Sequence, residues 1–138
     1  MKRDEFIRHV QSIAQLDSRD EAERAIRATL ETLRERIVGD EGKDLASQLP
    51  PEIGQYLRGR EGENGQFFSL KEFYQRVAEK ESVDPEAAAT HARAVFSVLR
   101  DAVTPGEFAD VSANFSDDYK DLLPASSPSS EVVSGSGM

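Results

Sequence analysis

Arginine recurs in this chain at a spacing that could hold an anion. Arg27 and Arg34 lie seven residues apart, about two helical turns and therefore on one face, and Arg93 and Arg100 repeat the spacing. Guanidinium groups match carboxylate and phosphate geometry. If two halves of the chain pack about a pseudo-two-fold axis, these four residues could bracket a shared groove and bind an anion. With acids as neighbours, the same arginines make surface ion pairs of small energetic weight. The histidines, His9 and His91, have no second ligand three or four residues away, so they form no metal motif and a surface or flank role is expected. Carboxylates recur as Glu5 and Glu72, Asp17 and Asp84, Glu41 and Glu107, Asp44 and Asp110. An acid–base pair needs two carboxyls in a cleft with separated pKa values. Most of these acids instead fall near helix starts, where capping and the helix dipole account for them. There is no cysteine, which excludes disulfides and thiolate metal ligands. No Walker or dinucleotide pattern, G-x-S-x-G, H-E-x-x-H or EF-hand loop occurs. No catalytic, cofactor or metal set is assembled, and a non-catalytic protein is expected.

The elements that must carry these residues are helices. In 22–38, Ala22, Ala25, Ile26, Thr29, Leu30, Leu33 and Ile37 fall at i, i+3, i+4, i+7 spacing, one apolar face. Ala88, Ala92, Val95, Phe96, Leu99 and Val103 repeat the pattern in 88–103. Neither helix can stand alone; each needs neighbours to bury its stripe. Gly39 is placed as a left-handed stop to the first. A helix over 4–15 precedes it, with Phe6, Ile7, Val10, Ile13 and Ala14 inward, and Ser18 with Glu21 forms a capping box. Asp40 is placed as the cap of a short helix over 41–48, and Pro51 at the first turn of another.

The loop 59–65 holds three glycines and no apolar residue, so it reads as a mobile surface linker. Beyond it, Ser69 and Glu72 have the form of a second capping box, with Phe68 and Phe73 at hydrophobic-staple spacing. Asp84-Pro85 and Thr104-Pro105 each read as a cap followed by proline at the first helical position. Residues 4–17 match 71–84 at an offset of 67, and 19–57 match 85–123 at an offset of 66. Phe6/Phe73, Val10/Val77, Ala22/Ala88, Leu33/Leu99 and Leu57/Leu123 are among the identities. The shared apolar period and turn positions argue for duplication. The expected fold is all-α: one helical domain over 1–123, made of repeat 1 (4–57) and repeat 2 (71–123). A Ser-, Gly- and Pro-rich tail over 124–138 is expected to be disordered.

Lys and Arg number 17 against 26 Asp and Glu, a net charge of −9. That balance argues against nucleic acid or an anionic membrane as the main partner. No apolar run has the length of a membrane span, and the start, MKRDEFIRHV, lacks the uninterrupted apolar core of a signal peptide. A protein partner or self-association is left as the expected mode of action, with the outer side of Phe6, Val10, Phe73 and Val77 as one surface for the latter.

The run Ala25-Ile-Arg-Ala-Thr-Leu-Glu-Thr-Leu-Arg-Glu-Arg-Ile37, followed by Asp44-Leu-Ala-Ser-Gln-Leu-Pro50, resembles the prokaryotic family known as domain of unknown function 2267. Glu72-Phe-Tyr-Gln-Arg-Val77 and Ala92-Arg-Ala-Val-Phe-Ser-Val-Leu-Arg100 are similar to its second half. The resemblance covers roughly residues 4–123 and implies a cytoplasmic, all-helical protein with no assigned activity or site residues.

Overall fold

The computed structural model describes residues 1–123; the tail expected over 124–138 lies outside them. The regular structure of the described residues is all helical, with no strand. Seven α-helices follow in order: α1 (Arg3–Ala14), α2 (Arg19–Arg36), α3 (Gly39–Ala46), α4 (Pro51–Gly54), α5 (Leu70–Glu81), α6 (Pro85–Ala102) and α7 (Pro105–Ser112). Short 3-10 turns occupy Gln55–Leu57 and Asp117–Asp121. The lengths run 12, 18 and 8 residues for α1 to α3 and again for α5 to α7.

The long helices form because their apolar stripes have partners. α2 packs on α1, α5 and α6, and α6 packs on α1 and α5. One apolar cluster runs through both halves, from Phe6, Leu30 and Leu33 to Phe73, Phe96 and Leu99, each at most 1% exposed. Phe6, Val10, Phe73 and Val77 lie at 0% exposure in this cluster and present no outer side to a second copy. Burying a side chain of this size stabilises by roughly 1.5–3 kcal/mol. An ion-pair chain closes the α2–α5 seam: Glu35 receives Arg76 and Lys80 at 3.1 Å each, and Arg76 also reaches Glu72.

Local signals set the helix starts. Ser18 and Glu21 satisfy each other's amides in a full capping box. Asp84 accepts from Ala87 N at 2.8 Å and Thr104 from Glu107 N at 3.1 Å, each with proline at the first helical position. Ser69 accepts from Glu72 N at 3.2 Å, and Phe68 meets Phe73 with ring centroids 6.3 Å apart. The reciprocal half of that box is absent, because the Glu72 carboxylate turns to Arg76; Asp118 accepts from the next amide, Leu70 N.

Two expectations at the α2–α3 junction are corrected. Gly39 does not end α2 in a left-handed turn; Ile37 caps α2 in extended conformation and Gly39 opens α3. Asp40 does not cap α3, whose N-cap is Val38; its carboxylate accepts from Gly62 N at 2.9 Å. The cause is the 59–65 loop, which is exposed as expected yet packs through its backbone. Gly39 N donates to Glu63 O and Gln66 N to Glu35 O, each at 2.9 Å. A Cβ on Gly39 would stand 1.5 Å from Arg60 O, and one on Gly65 2.4 Å from Arg36 O. The missing side chains let this strap lie flat on the junction.

Candidate functional site

The repeated arginines occupy different surroundings. Arg27 is exposed, pairs with Glu31 at 3.1 Å and sits over the Tyr56 ring, in an open depression of about 280 Å³. Arg34 donates to Arg58 O at 3.1 Å. Arg93 meets Asp121 at 2.8 Å, beside the Tyr74 hydroxyl that donates to the same carboxylate. Arg100 lies over the Phe108 ring. Arg93 and Arg100 share a pocket of about 140 Å³ with Phe96, Ser97, Asp121 and Leu122. Arg27 and Arg34 do not line that pocket. Arg93 and Tyr74 together hold the Asp121 carboxyl below its usual range, the hydroxyl bond contributing most.

Of the recurring acids, Asp84 caps α6 and Glu5 accepts from Lys2 N at the start of α1, as expected, whereas those of α3 and α7 meet one another. α3 packs on α7, which brings Glu41, Glu107 and Asp110 together with one carboxylate oxygen of each within 4.8 Å of the others. One Glu107 oxygen is buried without a hydrogen-bond partner. Burial, a hydrogen bond with Glu41, and the charges of Glu41, Asp44 and Asp110 push the Glu107 carboxyl up to about 7. Like charges at this range favour holding a proton between the carboxyls. Oxygen donors of this kind suit a hard cation such as Mg²⁺ or Ca²⁺, and among the described residues this trio is the group that could ligate one. The signal was in the sequence: Glu41/Glu107 and Asp44/Asp110 share one offset, so like helices brought together bring like acids together.

Two buried polar groups complete the picture. Arg36, at the end of α2, is 4% exposed. It donates to Phe68 O at 3.1 Å and Asn114 O at 2.9 Å. Phe67, Phe115 and Tyr119 ring its guanidinium at 4.6, 4.9 and 5.2 Å. Tyr119 donates to the same Phe68 carbonyl, and burial pushes its hydroxyl up to about 12. Phe67 covers the arginine from outside and is itself 80% exposed. His9 is exposed; His91 is partly buried and pairs with the buried Glu81. Both missed groups were visible as polar interruptions of apolar stripes. Arg36 follows Leu33 by three residues, and Glu81 follows Phe73 and Val77 at successive fours.

Fold and site define an all-helical protein in which Arg36 and Arg76 tie α2 to the second half through carbonyls and carboxylates. A family model described as "Uncharacterized conserved protein (DUF2267)" matches residues 3–122. The chain belongs to that family, domain of unknown function 2267. Comparison with curated proteins finds no match.

Proposed function

We propose that the chain is a non-catalytic helical interaction module that binds a protein partner of basic surface through the face around Phe67. The carrying observation is Phe67 itself, a large aromatic ring 80% exposed that lies over the Arg36 guanidinium. Exposed aromatics on a rigid support are what interface anchors are made of. Asp40 and Asp118 hold the chain at Gly62 and Leu70 on either side of it, and the chain as a whole carries −9. Two such copies repel, so charge complementarity favours a basic partner over self-association. The proposal includes a cytoplasmic setting, as the family resemblance implies, and a single domain of two duplicated halves, supported by the matching offsets and helix lengths. No described helix is long and apolar enough to cross a membrane.

The second reading is an anion site at Arg93 and Arg100, favoured by their shared pocket of about 140 Å³. Arg27 and Arg34 would belong to it only through a larger groove between the halves. The pairing of Arg27 with Glu31 and Arg93 with Asp121 supports the interaction module instead. Thermal-shift measurements with phosphate, sulfate and small dicarboxylates separate the readings. No shift is the outcome expected of the module. A saturable rise in melting temperature that disappears in Arg93→Ala and Arg100→Ala would establish the anion site.

A further inference from the structure

Glu81 is the last residue of α5 and only 6% exposed. Its Oε2 lies 2.5 Å from His91 Nδ1, on the second turn of α6, and its Oε1 is buried with no hydrogen-bond partner. A carboxylate at a helix C-terminus faces the negative end of the dipole. Burying it there is strongly opposed unless a cation stands against it, and His91 supplies that cation when its imidazole is doubly protonated. The other helical hairpin closes the same corner without charge. The last residue of α1 and the seventh of α2 are Ala14 and Ala25, where α5 and α6 have Glu81 and His91. Ala25 is fully buried. Two helices of 12 and 18 residues therefore pack with alanine at both of these positions.

The surroundings offer the pair no substitute. α1 and α2 also pack on α6, and their buried residues are apolar or hydroxyl-bearing apart from Arg36, which is held at the Phe68 and Asn114 carbonyls. The neighbouring charges on α5 and α6 are Glu79, Lys80, Glu86 and Arg93, all exposed. Lys80 pairs with Glu35 and Arg93 with Asp121. The connection between the helices is short, and Ser82 turns it in the left-handed region at φ 61°.

We propose that Glu81 and His91 form a proton-dependent latch on the α5–α6 hairpin. It is closed while the imidazole carries its second proton. It loosens when that proton passes to solvent and leaves the carboxylate buried at the helix end without a counter-charge. A rise in pH that removes this proton opens the latch and frees the Ser82–Asp84 turn.

The test is the melting temperature from pH 6 to pH 9 of the whole chain and of the double variant Glu81→Ala/His91→Ala, which copies the Ala14/Ala25 corner. Other titrating groups are common to both proteins and cancel in the difference. The wild-type midpoint is expected to fall by about 5 °C more than the variant's across this range. Parallel curves would overturn the proposal. Should the double variant not fold, NMR of the wild-type chain decides. The His91 ring and the Ser82 and Val83 amides are expected to titrate with one midpoint; a ring that titrates while the amides stay still overturns the latch.

Discussion

Replacing Arg36 probes a buried charged side chain that joins the end of α2 to the second half. Its two hydrogen bonds run from an ionised donor to the Phe68 and Asn114 carbonyls, and such bonds contribute roughly 1.5–3 kcal/mol each. Phe68 O keeps the Tyr119 hydroxyl at 2.7 Å, so removing the guanidinium orphans chiefly Asn114 O. The three rings at 4.6–5.2 Å add cation–π attraction of about 1 kcal/mol or more in this dry setting. Against this stands the cost of keeping a charge buried with carbonyl and aromatic partners, which its removal relieves. Arg36→Met keeps the length and loses the charge, and is expected to destabilise by about 2 kcal/mol. Arg36→Ala also opens a cavity and is expected to cost about 4 kcal/mol. Urea unfolding measures both. A methionine variant as stable as wild type would refute the reasoning, because it would mean that the guanidinium contributes no more than its volume.

Three further perturbations follow from the same geometry. Ser69→Ala removes the acceptor of the Glu72 amide and should cost about 1 kcal/mol in chemical denaturation, the usual loss of an N-cap; no measurable change would deny Ser69 that role. Gly39→Ala places a methyl group 1.5 Å from Arg60 O, which detaches the 59–65 strap. A loss above about 2 kcal/mol is expected with early proteolysis inside the loop, and wild-type resistance would mean that the strap is not seated. Glu107→Gln tests the carboxyl cluster. The folded carboxyl is raised from 4.5 to about 7, so the folded state binds its proton more tightly than the unfolded chain. That contribution is present below about pH 4.5 and lost as the pH rises through 7. The variant should therefore gain on wild type between pH 5 and pH 8 by about 1 kcal/mol, the full shift being reduced by solvent at a partly exposed group. A constant difference across that range would contradict it.

The helices were legible in the sequence wherever an apolar period met a cap. Ser18 with Glu21, Asp84 with Pro85, and the Phe68–Phe73 staple each sit within five residues of chain, and local chemistry decides them. What was not legible depends on contacts between residues distant in sequence. The strap was read as unable to pack because it has no apolar side chain; it packs by backbone on Gly39, 24 positions from Glu63. Glu41, Glu107 and Asp110 come together only when the two short helices α3 and α7 meet, and it is this contact that pushes the Glu107 carboxyl up. Arg27, Arg34, Arg93 and Arg100 were legible as a spacing, and Glu31 follows Arg27 at i+4 on the same helix; Arg58, Asp121 and Phe108, the partners of the other three, are not placed by helical period.

The interaction reading is tested most directly by affinity capture with immobilised wild-type chain beside Phe67→Ser, the two first shown to melt at the same temperature. Phe67 is 80% exposed, so its substitution removes a surface anchor and little core. A protein of basic isoelectric point is expected to be retained by wild type and lost from the variant, with equal amounts of bait on both supports. Retention unaffected by Phe67→Ser, or retention only of further copies of the chain itself, would contradict it.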